Sequence, residues 1–448
     1  MNTRFSMMSD WDSNAAPDAP SAPGTLKEAG LTQSFVCDLI IKSIYSRGPM
    51  LGRDLAQYLC LPFKVIQQPL RFLKDEKQVQ IDGGDLVGEV SYRFSLTDFG
   101  RKRAEEAHRQ CAYVGPAPVP LEDYIEQCYR QTVTGMQCYP EALMTPFNHL
   151  VLREELFNAI GPAIISGKSV FVYGPPGNGK TAIARAIGDF MNTAGGAIFI
   201  PHAFLADGNI VTVYDPSLHV ADQDIESEVG DPDAAVKRLL SDGAADVRWV
   251  RCRRPVIVTG GELDLPMLDL KYVEEAKFYQ APIHFKANGG VFLIDDFGRQ
   301  KCSVKDLLNR WILPLEDRHD FLTVASGKKF QVPFEQLIIF STNLDPKSLV
   351  DDAFLRRIRH KVEILAPQPD VYQKIFFSVC KKLGMNYDQA SVDYLYERYY
   401  ERGRTPRASD CRDLLEIVQS ICRYRRQPVH LTRDLIAEAS ASFIAEFQ

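Results

Sequence analysis

The chain has no run of about 18 apolar residues, the length a membrane-spanning helix needs. Its N-terminus lacks the apolar core of a signal peptide. Together these absences set the expectation of a cytoplasmic protein with no membrane span. None of its ten cysteines stands in a C-x-x-C pair. That speaks against a zinc site or a disulfide frame and for free thiols in a reducing compartment. An excess of positive charge is also missing. The 52 Lys and Arg face 58 Asp and Glu, for a net charge of −6. A whole surface that coats nucleic acid is therefore not expected, although a local basic face stays open. What remains is an ordinary globular composition, 45% hydrophobic and 25% charged. At 448 residues the length suggests about three domains.

The most informative stretch is GPPGNGKT, with Gly174, Pro175, Pro176, Gly177, Asn178, Gly179, Lys180 and Thr181. It satisfies every fixed position of G-x-x-x-x-G-K-[ST]. The apolar run Ser169 to Tyr173 before it reads as a buried strand, and Thr181 to Met191 after it, beginning Thr181-Ala182, reads as a helix. Strand, glycine-rich loop and helix make a phosphate cradle, because glycines let backbone N–H groups approach phosphate oxygens and the helix N-terminus adds its dipole. In that cradle Lys180 reaches the β- and γ-phosphates and Thr181 holds Mg²⁺. The expected cofactors are ATP and Mg²⁺.

A second motif is VFLIDDFGR, Val291 to Arg299. An apolar strand ends at Asp295, where a Walker B aspartate orders Mg²⁺, and Asp296 follows. A third strand, QLIIFSTN, ends at Asn343, and DDAFLRRIRHKVEI (Asp351 to Ile364) comes next. Strands and helices alternate from about 146 to 366, the mark of a parallel sheet with helices on both faces. Residues 367–448 read as a small helical lid containing GRTPRASDCRDLLEIV.

These ordered motifs resemble those of the AAA+ ATPases over about 300 residues. The resemblance implies a P-loop α/β module with an α-helical lid. It implies that Asn343 senses the γ-phosphate and positions the attacking water. Arg357, with Arg356 second, fits the arginine finger that acts on a neighbouring subunit's nucleotide, which implies a homo-oligomeric ring, six subunits by family expectation. Arg407 fits the second sensor better than Arg412. The family places a catalytic glutamate after the Walker B aspartate. Here it is Asp296, whose carboxylate sits about 1.5 Å further back for want of one methylene.

The 115 residues from Lys180 to Asp295 (295 − 180) are more than plainer modules use. They hold acidic DQDIESEVGDPDAA, an arginine cluster (Arg248, Arg251, Arg253, Arg254) and KFYQAPIHFKANGG. That last stretch and DFLTVASGKKFQVP (Asp320 to Pro333) resemble the clade with an insert in its second helix, MoxR-type chaperones among them. The whole is similar to bacterial chaperone-like ATPases linked to Flp pilus assembly. Phe278 and Tyr279 are either aromatic grips on a substrate chain or core aromatics of a helix. The arginine cluster suits nucleic acid or an acidic neighbouring subunit.

Ahead of the ATPase, residues 1–30 read as a disordered tail rich in Pro, Ala, Ser and Asp. Residues 31–112 read as three helices, a hairpin and a last helix, and resemble a small α+β winged helix-turn-helix. Its recognition helix would offer Lys64, Gln67, Gln68, Arg71 and Lys74. Acidic residues almost match basic ones there, so protein docking is preferred over DNA. Residues 113–145 read as a Pro-rich semi-rigid spacer and a helix, and the insertion as about 200–288. The functional expectation is a chaperone-like ring ATPase that remodels a protein recruited through the winged helix. The alternatives are a DNA-binding regulator or motor, and a slow-hydrolysing nucleotide switch.

Overall fold

A computed structural model of the chain describes residues 19–84, 88–222 and 245–444. Residues 1–18, most of the acidic stretch within the insertion and the tip of the N-terminal hairpin lie outside the described residues.

Five strands form the central sheet: β1 (Ser169–Tyr173), β2 (Val256–Thr259), β3 (Val291–Ile294), β4 (Leu337–Thr342) and β5 (His360–Glu363). Their order is β2-β3-β4-β1-β5 and every pairing is parallel. Parallel strands covered on both faces read as continuous apolar runs rather than alternation, and β3 and β4 are buried at every residue. One face packs on helices Glu154–Ser166 and Lys180–Gly195 through Val170, Ile183, Ile187 and Ile339. The other packs on helix Val304–Asp317 through Phe171, Phe292, Trp311 and Phe340. The chain leaves β1 for the far edge, fills back to β4, and crosses to β5 on the other side of β1. A crevice outside the carboxyl ends of the strands follows from such a reversal. After β5, helices Pro369–Leu383, Gln389–Leu395, Ala408–Tyr424 and Arg433–Phe443 bury Tyr372, Phe376, Leu414 and Val418 in a core of their own. The fold is a P-loop α/β module: a helix-flanked parallel sheet with a helical C-terminal part.

The N-terminal unit runs helix Gln33–Arg47, strand Met50–Leu51, helices Gly52–Leu59 and Phe63–Asp75, strands Val79–Gly84 and Tyr92–Leu96, and helix Asp98–Gln110. Thr32 and Thr97 cap the first and last helices by accepting from the N–H groups of Phe35 and Gly100. The three strands form one antiparallel sheet with Tyr92–Leu96 in the middle.

Three sequence expectations change here. The segment 19–30 is not a free tail: Ala29 and Leu31 are in the core of the N-terminal unit, and Ser21 bridges to Ala245. Residues 113–120 are not a spacer. Val119–Pro120 forms the edge strand of a second sheet, beside Ala203–Ala206, Asn209–Thr212, Phe278–Gln280 and Lys271–Val273. Phe278 and Tyr279 stand on a strand of that sheet, neither on a loop nor on a helix. Tyr279 is 4% exposed, and Phe278 packs edge-on against Tyr113 at 5.6 Å. The insertion therefore folds as a platform under the N-terminal unit, whose core extends into it through Ala203 and Ile210.

The arginine cluster also reads differently. Arg248 is 2% exposed, is paired with Asp246 at 2.8 Å, and donates to the carbonyls of Ala29 and Pro118. Arg254, equally hidden, donates to the carbonyls of Gln131, Gly195 and Gly289. Arg251 pairs with Asp222. A buried guanidinium needs its donors satisfied. Arg248 satisfies its own and Arg254 its two terminal nitrogens, in both cases by joining chain segments far apart in sequence, while Arg254 Nε is left without a partner among the described residues.

Candidate nucleotide site

The site assembles at the carboxyl ends of β1, β3 and β4. Gly174 follows β1 directly, with φ 135°, and a Cβ there would stand 2.2 Å from the carbonyl oxygen of Ile364. Gly177, with φ 82°, faces the helical part: a Cβ would meet Ser409 Oγ at 2.5 Å. At both positions only glycine lets the backbone pass. Lys180 opens the following helix and is buried. Its ammonium donates to the carbonyls of Gly174 at 3.0 Å and Pro175 at 2.9 Å, and to Asn343 Oδ1 at 2.7 Å. Burial lowers its pKa, while Asp295 and Asp296 pull it back up.

Asp295 ends β3. Its Oδ2 accepts from Thr181 Oγ1 at 2.7 Å, and its Oδ1 accepts from Ser341 Oγ at 2.8 Å and from the N–H of Asp296 at 3.0 Å. Asp296 is exposed and lines the cleft, and its Oδ1 accepts from Asn343 Nδ2 at 3.0 Å. Asn343 thus touches Lys180 with one end of its amide and Asp296 with the other. Lys180, Thr181, Asp295, Asp296 and Asn343, separate in sequence, form one polar network.

The cleft has a volume of about 520 Å³. Gly177, Asn178, Gly179 and Ala182 form its floor, and Leu150, Leu152, Val371 and Ile375 give it an apolar wall. Pro175 contributes the carbonyl noted above, and Pro176 lines the rim. The helical part closes on the loop: the N–H of Ser409 donates to Gly177 O at 2.8 Å and that of Ala408 to Asn178 Oδ1 at 3.1 Å. Asn178 Nδ2 is buried and has no partner among the described residues. Arg407 is the N-cap residue of helix Ala408–Tyr424 and lies with its stem beside Gly177. Arg412, one turn on, lines the cleft and bonds Asp413 at 2.8 Å. Arg412 is thus among the residues that line the cleft, and Arg407 is not.

Arg356 and Arg357 are elsewhere. With Lys168, Arg359 and Glu316 they line a basic hollow of about 410 Å³. Ser169 Oγ, at the amino end of β1, donates to Arg357 O at 3.4 Å. Arg357 pairs with Glu316 at 2.6 Å. The glycine-rich loop leaves β1 at the opposite end, some 15 Å away at about 3.3 Å per residue. Ser341, Ser409 and the apolar wall are parts of the site that the motifs did not point to. The serine in Phe340-Ser341-Thr342-Asn343 was the available signal, since a hydroxyl near a strand's carboxyl end can brace the aspartate on the next strand.

Residues 368–442 match a family described as a domain of unknown function (DUF8689). A search of curated proteins returned no match. Among solved structures, the chain is similar to the RuvB Holliday junction branch migration motor of Thermotoga maritima. That match has 15% identity, covers 68% of this chain and 70% of that one, and has a TM-score of 0.34. It is also similar to NtrX from Brucella abortus in complex with ADP, at 14% identity and a TM-score of 0.38, covering 65% of this chain and 56% of NtrX. Among the described residues, no helix is long and apolar enough to cross a membrane.

Proposed function

We propose that this chain is a Mg²⁺-dependent ATPase that works as a homo-oligomeric ring and remodels a protein held by its N-terminal unit. The observation that carries the ATPase reading is the Asn343 amide, joined at once to Lys180 and Asp296 beside the Thr181–Asp295 pair. The residues fit a nucleoside triphosphate. Gly174, Gly177 and Gly179 hold the positive φ angles that let the loop backbone curve round the cleft, Lys180 supplies a buried cation, and Asn178 Nδ2 is an unused donor. They also fit Mg²⁺, which prefers hard oxygen ligands: Thr181 and Asp295 bring a hydroxyl and a carboxylate to one point. When bound, the ion supplies charge neutralisation at the phosphates. Asp296 acts as the base that orients the attacking water, and Asn343 keeps its carboxylate in place. Arg407, or its neighbour Arg412, reports the γ-phosphate to the helical lid.

The position of Arg357 and Arg356 supports the ring reading. Lying at the far end of the sheet from their own cleft, they suit a neighbour's nucleotide, where a planar fork of fixed charge stabilises the transferring phosphoryl group. Six subunits is the expectation from the AAA+ resemblance.

The N-terminal unit is read as a winged helix that docks protein. Gln67 and Arg71, on the face a DNA-reading helix would use, are both bonded to Glu89 at 2.8 and 3.0 Å. A carboxylate in that position repels phosphate. The DNA reading, a regulator or motor, predicts salt-sensitive binding of duplex by the full-length chain. The test of the ATPase reading is phosphate release from ATP with and without Mg²⁺. Release that needs Mg²⁺ and disappears in Lys180→Ala supports it, and no release under either condition overturns it in favour of a nucleotide switch or a binding module.

A further inference from the structure

Asp296 stands on a turn that needs outside support. Its φ is 48° and that of Gly298 is 105°. A residue with a side chain keeps a left-handed conformation only where its surroundings fix it. One side chain spans this turn. Gln300 Nε2 donates to the carbonyl of Asp295 at 3.0 Å and to that of Asp296 at 3.2 Å, while its Oε1 accepts from the N–H of Gly298 at 2.8 Å. The same Nε2 lies 3.4 Å from the carbonyl of Gly260, just past β2. A primary amide can do this because it carries two donors and an acceptor on one rigid plane. Among the described residues, the hydrogen bonds of Gln300 do not reach the glycine-rich loop. Its contacts end on the backbone that carries Asp296, whose carboxylate in turn meets Asn343 and the cleft.

We propose that Gln300 is a positioning residue for hydrolysis. It locks the 295–298 turn so that the short Asp296 side chain stays on Asn343 and faces the cleft. This rests on the ATPase reading above. The expected consequence is specific: losing Gln300 moves the base and leaves the phosphate cradle alone.

The experiment compares wild type, Gln300→Ala, Asp296→Ala and the double variant by steady-state phosphate release and by affinity for a non-hydrolysable ATP analogue. For Gln300→Ala, kcat falls on the order of 10²-fold while analogue affinity changes by less than about two-fold, as expected when a base is displaced by about 1 Å. In the Asp296→Ala background the same change costs nothing further, because the group it positions is gone. Gln300→Glu keeps the size and the acceptor but removes both donors. It carries the same expectation if the alanine variant fails to fold. A Gln300 variant with kcat within about two-fold of wild type, equal losses in affinity and kcat, or a full additional loss on top of Asp296→Ala overturns the proposal. A wild-type chain that binds the analogue but releases no phosphate overturns the ATPase reading itself, and this proposal with it.

Discussion

Lys180 holds three acceptors at once, two of them carbonyls of its own loop and the third on Asn343. Charged hydrogen bonds contribute about 1.5–3 kcal/mol each. Lys180→Ala is therefore expected to weaken ATP binding by roughly 10- to 100-fold in calorimetry. Unchanged affinity would remove the loop from phosphate binding. Asp296 predicts a different pattern. Asp296→Asn preserves the size and the contact with Asn343 but cannot take a proton, so ATP affinity holds while turnover falls by roughly 10²- to 10⁴-fold. Wild-type turnover in this variant would take Asp296 out of the mechanism. These residues were legible in the sequence because the chemistry is local: one eight-residue loop and one strand end state it. Gln300 was not, since nothing in DDFGRQ says that its side chain folds back over the turn after Asp295, and Ser341 showed only as a hydroxyl near a strand end, with no sign of which strand it meets. The exposed or buried state of an arginine was equally hidden.

Among the elements, the insertion is where sequence and structure part most. Its strands are short, and their pairings join segments distant in the chain, such as Val119 with Phe204. Periodicity cannot reveal a two-residue edge strand. Arginine clusters look solvated in a sequence, yet Arg248 is hidden with Asp246, two residues away, and ties together segments near positions 29 and 118. Removing one partner of a buried ion pair strands the other charge. Arg248→Ala should therefore destabilise the chain by about 3–5 kcal/mol in denaturant unfolding, with the N-terminal unit losing protection from proteolysis first. Loss of less than about 1 kcal/mol would place the pair in the class of weak surface bridges. The central strands, by contrast, were readable from their apolar runs, because both of their faces are covered.

At the scale of the whole molecule, the sheet separates the cleft from the basic hollow. The cleft lies at the carboxyl ends of its strands, and the basic hollow of Arg356, Arg357 and Arg359 lies by the amino end of β1. In the ring we propose, the hollow of one subunit would complete the cleft of the next. Arg357→Ala is expected to leave ATP affinity unchanged and to reduce turnover on the order of 10³-fold or more, as for other supplied arginines. If weaker ATP binding accompanied the loss, Arg357 would be serving its own subunit's structure. Mixing Arg357→Ala with an Asp296→Asn chain should restore part of the activity, because an interface pairing the first chain's intact cleft with the second chain's intact arginine is whole. The measurement that bears most directly on this account is ATP turnover per subunit as protein concentration rises. A shared site predicts specific activity that climbs and then saturates as subunits assemble. Specific activity that stays constant down to concentrations where the chain is monomeric would contradict it.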